Sequence, residues 1–316
     1  MTDTADPFDP GVISDETAAF NRWLEDELSK IKPVHEVPPE LTRQARAEGR
    51  GVFPQAGPCE GSDWIIYPAA AGGPGRARLS QPEGMPRGTY IHIHGGGWTL
   101  GAPEQYDSHN QRIAAMAGCR VVSVQYRLAP EHAWPACLED CVAAMRWAIE
   151  EFGGPVVIGG ESAGAHLAAL VLLRLRELGG LDAVAGTVLN YGIFDLRMTP
   201  SMANWGRRYL ILSTPTTRWF CENLKGPAPD DPAVSPLLAD LGGLPPALLQ
   251  VGTSDPLLDD SLFMANRWRA AGNWAELAIY PGGVHAFDMF DLAIARSSQA
   301  RQDTFIGQCL TGGSPA

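Results

Sequence analysis

Pro155-Val-Val-Ile-Gly-Gly-Glu-Ser-Ala-Gly164 is the stretch on which the reading of this chain turns. A short β-branched run, Pro155–Ile158, feeds a G-x-S-x-G turn at Gly160–Gly164, and a helical segment is expected over 163–178. A tight strand-to-helix turn brings backbone too close for Cβ atoms, which accounts for the flanking glycines and the small Ala163. The same turn exposes the Ser162 hydroxyl and aims a helix N-terminus at negative charge forming beside it. A glycine-flanked serine can also be a plain turn or helix cap. The strand–turn–helix context favours a nucleophile.

Outward from that turn, β-branched runs alternate with segments of helical period. The runs are 89–94, 120–126, 155–158, 186–191, 247–251 and 276–280; the helical candidates are 109–117, 135–151, 163–178, 258–271 and 289–309. Alternation of this kind predicts an α/β fold, a mainly parallel sheet of about eight strands with helices on both faces. Residues 63–67 and 77–79 read as edge strands. Two segments break the pattern: residues 1–50, with a helical stretch at Glu16–Lys30, and residues 197–231, rich in aromatic side chains. They are expected to pack together as a cap over the C-terminal edge of the sheet, where open α/β sheets bind ligands. The division expected is a cap segment over 1–50 and a catalytic domain over 51–316 carrying a cap insert near 197–231.

A serine hydroxyl needs a base, and the base needs an orienting carboxylate. A parallel sheet gathers the loops at the C-terminal ends of its strands. Asp255 follows the run 247–251, and His285 follows the run 276–280 and its Pro281-Gly-Gly turn. Asp255 precedes Pro256 and could instead cap the helix that begins near Leu257, leaving Asp259 or Asp260 as the acid. His166 lies four residues beyond Ser162 inside the nucleophile helix, where it would point along the helix face. After the run 89–94 comes His94-Gly-Gly-Gly-Trp98, a loop able to bring backbone N–H groups against a developing oxyanion without side chains intervening. His92 and His94 share a strand face, but no Asp or Glu follows at metal-ligand spacing.

Composition narrows the function further. The chain has 316 residues, 45% hydrophobic and 19% charged, with 35 Gly and 26 Pro, so it is a loop-rich globular protein. Net charge is −12 and no basic run exceeds Arg207-Arg208, which excludes nucleic acid as a partner. The longest apolar stretch there, Leu167–Leu173, is far short of the roughly 20 residues that span a bilayer. The acidic N-terminus has no basic and apolar leader pattern. A cytoplasmic protein is expected. Six cysteines without a C-x-x-C pair indicate neither a disulfide framework nor a zinc ribbon.

Together these residues resemble the hormone-sensitive lipase family of α/β-hydrolase carboxylesterases. The matching segments are His94-Gly-Gly-Gly-Trp98, Tyr126-Arg-Leu-Ala-Pro-Glu-His132, Gly160-Glu-Ser-Ala-Gly164, Asp255-Pro-Leu257 and Gly283-Val-His-Ala-Phe287, in order over residues 62–310. The resemblance implies a Ser162–Asp255–His285 triad, oxyanion N–H groups from Gly96, Gly97 and Ala163, His94 holding the glycine loop, and Tyr126–His132 as a supporting segment. It also implies a cap. The chain departs from the family at Glu161, where Asp or Thr is usual, and at Ala286, where Gly is common; Glu161 is expected to affect hydrogen bonding behind the nucleophile or substrate range. The function expected is hydrolysis of soluble esters with short to medium acyl chains, in a pocket lined by Trp98, Trp205, Tyr209, Trp219 and Phe220. An amide or formamide hydrolase with the same triad is the alternative, and a non-hydrolytic receptor is disfavoured because His285 is present. The partner expected is a small-molecule ester, with no cofactor, metal, membrane or nucleic acid; a homodimer is left open.

Overall fold

The computed structural model describes residues 6–54, 57–69 and 73–313. In chain order the elements are α1 (Asp15–Ser29), α2 (Pro39–Ala47), β1 (Ser62–Tyr67), β2 (Gly75–Ser80), β3 (Thr89–Ile93), α3 (Asp107–Ala117), β4 (Arg120–Gln125), α4 (Ala136–Phe152), β5 (Val156–Glu161) and α5 (Ala163–Leu178). There follow β6 (Val184–Asn190), α6 (Pro200–Asn204), α7 (Thr214–Leu224), β7 (Ala247–Ser254), α8 (Leu258–Ala270), β8 (Ala275–Val284) and α9 (Ala293–Leu310). The eight strands form one sheet in the order β1-β2-β4-β3-β5-β6-β7-β8. β2 runs antiparallel to both its neighbours, and the pairings from β4 to β8 are parallel.

Strand side chains alternate between faces, and the two apolar cores follow that period. Val122, Val156, Ile158 and Leu249 join the helices α4, α5 and α8, whereas Val121, Val157, Val188 and Leu248 join α3 and α9. The central strands β3 and β5 are buried at every position.

Glycine runs that read as turns are partly strand. β5 continues through Gly159 and Gly160 to Glu161, and β8 through Pro281-Gly-Gly to Val284. The parallel ladder holds them, pairing Gly160 with Ile93, Glu161 with Asn190 and Val284 with Ser254. The last helix begins at Ala293 rather than near 289, because a 3-10 turn at Phe287–Met289 intervenes.

The two segments that break the alternation meet each other. The Val34 N–H donates to the Tyr209 hydroxyl (3.3 Å), His35 Nδ1 lies 2.9 Å from Thr216 Oγ1, and the Arg208 guanidinium pairs with both Glu25 oxygens. Leu24 and Leu28 of α1 are buried in a third apolar cluster with Tyr280, Val284, Phe287 and Phe290. Asn21 Nδ2 donates to the Gly282 carbonyl (2.8 Å), so α1 is fastened to the end of β8. Arg43 of α2 donates to the Thr99 and Ala129 carbonyls, fastening α2 to the loops after β3 and β4.

Candidate active site

β5 delivers Ser162 into a conformation that L-residues rarely adopt, with φ 58° and ψ −117°, and α5 starts at the next residue. Such a residue costs about 1–3 kcal/mol and persists only where its surroundings over-determine it. Here they do. The Ser162 N–H donates to the Asn190 carbonyl (2.9 Å), and β3 presses on the turn from the other side. A Cβ at Gly160 or Gly164 would lie 2.0 or 1.8 Å from the Ile93 carbonyl oxygen, so both flanking glycines are sterically required.

The turn places the Ser162 Oγ 2.9 Å from His285 Nε2, and His285 Nδ1 lies 2.9 Å from Asp255 Oδ2. A carboxylate can only accept, so Nδ1 carries the proton and Nε2 presents its lone pair to the serine hydroxyl. Asp255 and His285 are 1% and 4% exposed, so this relay is shielded from water. The second oxygen of Asp255 accepts the Leu257 N–H (2.8 Å). That contact closes a turn ahead of α8 and does not cap it, because the residue at the helix N-cap is Leu257 and no side chain caps there. Asp259 is engaged by the Ser201 N–H, and Asp260 by the Phe194 and Asp195 N–H groups and the Thr199 hydroxyl, well away from His285. Burial pushes Asp260 up to about 7.

His285 packs edge-on against the Tyr191 ring at 5.0 Å, and the Tyr191 hydroxyl donates to Asp288 Oδ1. Ala286 has left-handed backbone (φ 59°), which accounts for a glycine being common there. His166 points away from the hydroxyl. Its Nδ1 accepts the Trp98 indole N–H (3.1 Å), its Nε2–H donates to the Val234 carbonyl (2.8 Å), and burial pushes it down to about 4.

The glycine loop stands beside this relay. Gly96 (φ +119°) and Gly97 (φ +59°) adopt conformations that favour glycine. The Gly96 carbonyl accepts the Thr99 and Leu100 N–H groups, while the N–H groups of Gly96, Gly97 and Ala163 have no hydrogen-bond partner among the described residues. His94 Nδ1–H donates to the Gly95 carbonyl (2.8 Å), its ring stacks on Tyr126 at 4.2 Å, and the Tyr126 hydroxyl donates to the His94 carbonyl. Burial, first of all, pushes His94 down to about 3 and keeps it neutral. His92 instead donates Nε2–H to Glu161 Oε2 (2.8 Å) and accepts from the Ser123 hydroxyl on Nδ1. Glu161 is thus tied to β3, the strand beside Ser162. Among the described residues no three His, Cys, Asp or Glu side chains cluster as metal ligands.

Ser162, His285 and the glycine loop open into a cavity of about 470 Å³. Of the five side chains expected to line it, Tyr209 and Phe220 do, and Trp98, Trp205 and Trp219 do not. Trp98 is 1% exposed and turned into the core, where its indole N–H binds His166. The Trp205 indole N–H donates to the Arg208 carbonyl, and Trp219 packs against the ring of the wall residue Phe220 at 5.0 Å. Much of the wall instead comes from the N-terminal segment, including Leu28, Val34, Leu41 and Phe53, with Tyr106 and Met289 from the main domain. No individual residue of that segment was singled out from sequence, although the segment itself was; the leucine pair spaced four apart at 24 and 28 is the signal available there.

A family model described as alpha/beta hydrolase fold matches residues 90–289. The carboxylic ester hydrolase LipN of Mycobacterium tuberculosis is 36% identical over 217 residues, 64% of this chain and 58% of its own, so the chain spans less than two thirds of that relative. The carboxylesterase NlhH of the same organism is 33% identical over 240 residues, covering 66% of this chain and 69% of its own. Among solved structures, a hormone-sensitive lipase from a metagenome library superposes with a TM-score of 0.81 at 29% identity, covering 93% of this chain and 98% of that one.

Proposed function

The chain belongs to the alpha/beta hydrolase fold family, and from that premise we propose that it is a serine carboxylesterase of the hormone-sensitive lipase branch, with Ser162 as nucleophile, His285 as base and Asp255 as orienting acid. Ser162 Oγ attacks the ester carbonyl as its proton passes to His285 Nε2. The resulting oxyanion is met by the N–H groups of Gly96, Gly97 and Ala163 and by the N-terminal end of α5. Nε2 then returns the proton to the leaving alkoxide, leaving an acyl-enzyme. Water, deprotonated by the same nitrogen, releases the acid. Asp255, held by the Leu257 N–H, stabilises the imidazolium without taking its proton.

The observation that carries this reading is the pair of 2.9 Å contacts ending on a serine held at positive φ on a cavity floor. The test is Ser162→Ala. It should melt like the parent and lose nearly all hydrolysis of soluble esters, keeping only the residual acceleration that binding and the glycine loop provide. Undiminished turnover would end the assignment. An aryl amide and a formamide in the same panel address the alternative, which the curated relatives do not favour.

The cap is read as residues 1–50 together with the insert near 197–231, on a catalytic domain over 51–316; Val52 and Phe53 also reach the cavity wall. No helix among the described residues is long and apolar enough to cross a membrane. Cys119, Cys137, Cys141, Cys221 and Cys309 are free thiols, which fits the cytoplasmic location proposed for the chain.

A further inference from the structure

Charge around the cavity runs against that of the whole protein. The chain has 36 acidic and 24 basic residues, yet the cavity wall holds three cations, Lys32, Arg46 and Arg50, and a single carboxylate, Glu161. Glu161 is taken by His92, and Arg50 by Glu48. Arg46 differs from these and from Lys32, which is exposed. Among the described residues no carboxylate, carbonyl or hydroxyl accepts from it, and its contact is with the face of Phe53, 5.2 Å from guanidinium carbon to ring centroid. It is half-buried, among apolar wall residues. Burial weakens its hold on the proton, with the Tyr106 and Tyr209 hydroxyls acting the other way, and a guanidinium remains a cation throughout. With no protein acceptor among the described residues, its donors are left to water or to a ligand that supplies the acceptor.

The position ties Arg46 to the chemistry. Tyr106, which lines the cavity with Arg46, accepts the Gly95 N–H on its hydroxyl (3.3 Å). A Cβ built on Gly95 would lie 3.3 Å from that hydroxyl and 3.5 Å from the Ser162 Cβ. Arg46 and Ser162 line the same cavity.

We propose that Arg46 is the recognition point for a carboxylate carried by the substrate, so that the preferred esters are those bearing a free carboxylate a few carbons from the scissile ester group. This rests on the ester-hydrolase reading above. A guanidinium fork matches a carboxylate with two parallel hydrogen bonds, and the apolar wall excludes competing water from them. The carboxylate can sit on the acyl side, as in a half-ester of a dicarboxylic acid, or on the alcohol side, as in an acylated hydroxy acid.

The experiment compares kcat/KM for two matched pairs: monomethyl glutarate against neutral methyl 5-methylhexanoate, and 4-acetoxybutanoate against neutral 4-methylpentyl acetate. Arg46→Leu should lower the anionic-to-neutral ratio in at least one pair by about 10- to 100-fold, the range for hydrogen bonds to a charged group. Arg46→Lys should restore part of it, and the pair affected identifies the side that carries the anion. An unchanged ratio in both pairs, with both variants melting cooperatively, overturns the proposal while leaving ester hydrolysis standing. Calorimetric titration of monomethyl glutarate into Ser162→Ala, with and without Arg46→Leu, reads the anion site without turnover. A matching loss of affinity supports the site even if no ester is hydrolysed, and equal affinity refutes it.

Discussion

Gly97→Ala should disable the glycine loop through a collision that can be located atom by atom. A Cβ at Gly97 would lie 2.2 Å from Phe220 Cδ1, 2.3 Å from Cγ and 2.5 Å from Cε1. Ordinary contact begins near 3.4 Å, so the ring or the loop must move by about 1 Å, and a misplacement of that size costs about 10²-fold in rate. The ring is 7% exposed and backed by Trp219 at 5.0 Å, which leaves the loop to move. That loss is about 2.7 kcal/mol of transition-state stabilisation, the low end for losing an oxyanion donor. Stability should fall as well, by about 1–3 kcal/mol for overpacking and about 1–2 kcal/mol for an alanine at φ +59°. Phe220→Ala removes all three colliding atoms, so in that background the same glycine substitution should cost less than about tenfold, only the backbone strain remaining. Gly96→Ala is the contrast. Its Cβ would strike the Leu100 carbonyl at 2.2 Å, and Phe220→Ala offers it no relief. Measuring kcat for the four proteins of the cycle decides the matter. A Gly97→Ala enzyme with parental kcat, or one that Phe220→Ala fails to rescue, would refute the reasoning.

Asp255→Asn should reduce kcat by about 10⁴, because the amide favours the wrong imidazole tautomer, whereas Asp259→Asn should leave kcat nearly intact; the reverse order in steady-state kinetics would reassign the acid. His166, pushed down to about 4 by burial, stays neutral when folded and binds a proton when unfolded near 6.5, so its contribution is complete above pH 6.5 and is lost as pH falls toward 4. Between pH 7 and pH 5 the parent should therefore lose about 2 kcal/mol more than His166→Gln in urea unfolding, and parallel losses would show that the histidine titrates normally. Along a series of straight acyl chains, kcat/KM should rise by up to about fourfold per methylene, the equivalent of about 0.8 kcal/mol, and then fall once the wall of the cavity of about 470 Å³ is met. A maximum at emulsified long-chain triglycerides would contradict an enclosed pocket.

What could be read from the sequence tracks how local each signal is. The turn around Ser162 is written in neighbouring residues, because Gly160 and Gly164 face the Ile93 carbonyl and tolerate nothing larger. Strand starts were legible from β-branched runs; strand ends were not, because Pro281-Gly-Gly has turn chemistry and is kept extended by pairing with β7. The pocket was the least legible part. Its wall is assembled from segments far apart in the chain, so an aromatic residue such as Trp98 could be counted but not oriented, and its indole turned out to serve His166. Arg46 gives no local sign at all, since its lack of a partner is a property of the assembled wall.

The fastening of α1 to the end of β8 has a consequence for how the molecule is made. Asn21 and Gly282 are 261 residues apart, and at about 5–20 residues per second that separation is about 13–52 s of ribosomal synthesis. Throughout that interval Leu24 and Leu28 have emerged, while Tyr280, Val284 and Phe287, which bury them, do not yet exist. The sheet can begin to condense around β3, β4 and β5 in the meantime, but the helix at the front must wait, its apolar stripe in water, for the last strand. The same strand leads into His285. Closure over the cavity and completion of the relay are therefore one late event, and a nascent chain stalled before β8 would offer chaperones a greasy helix and chemists an inert serine.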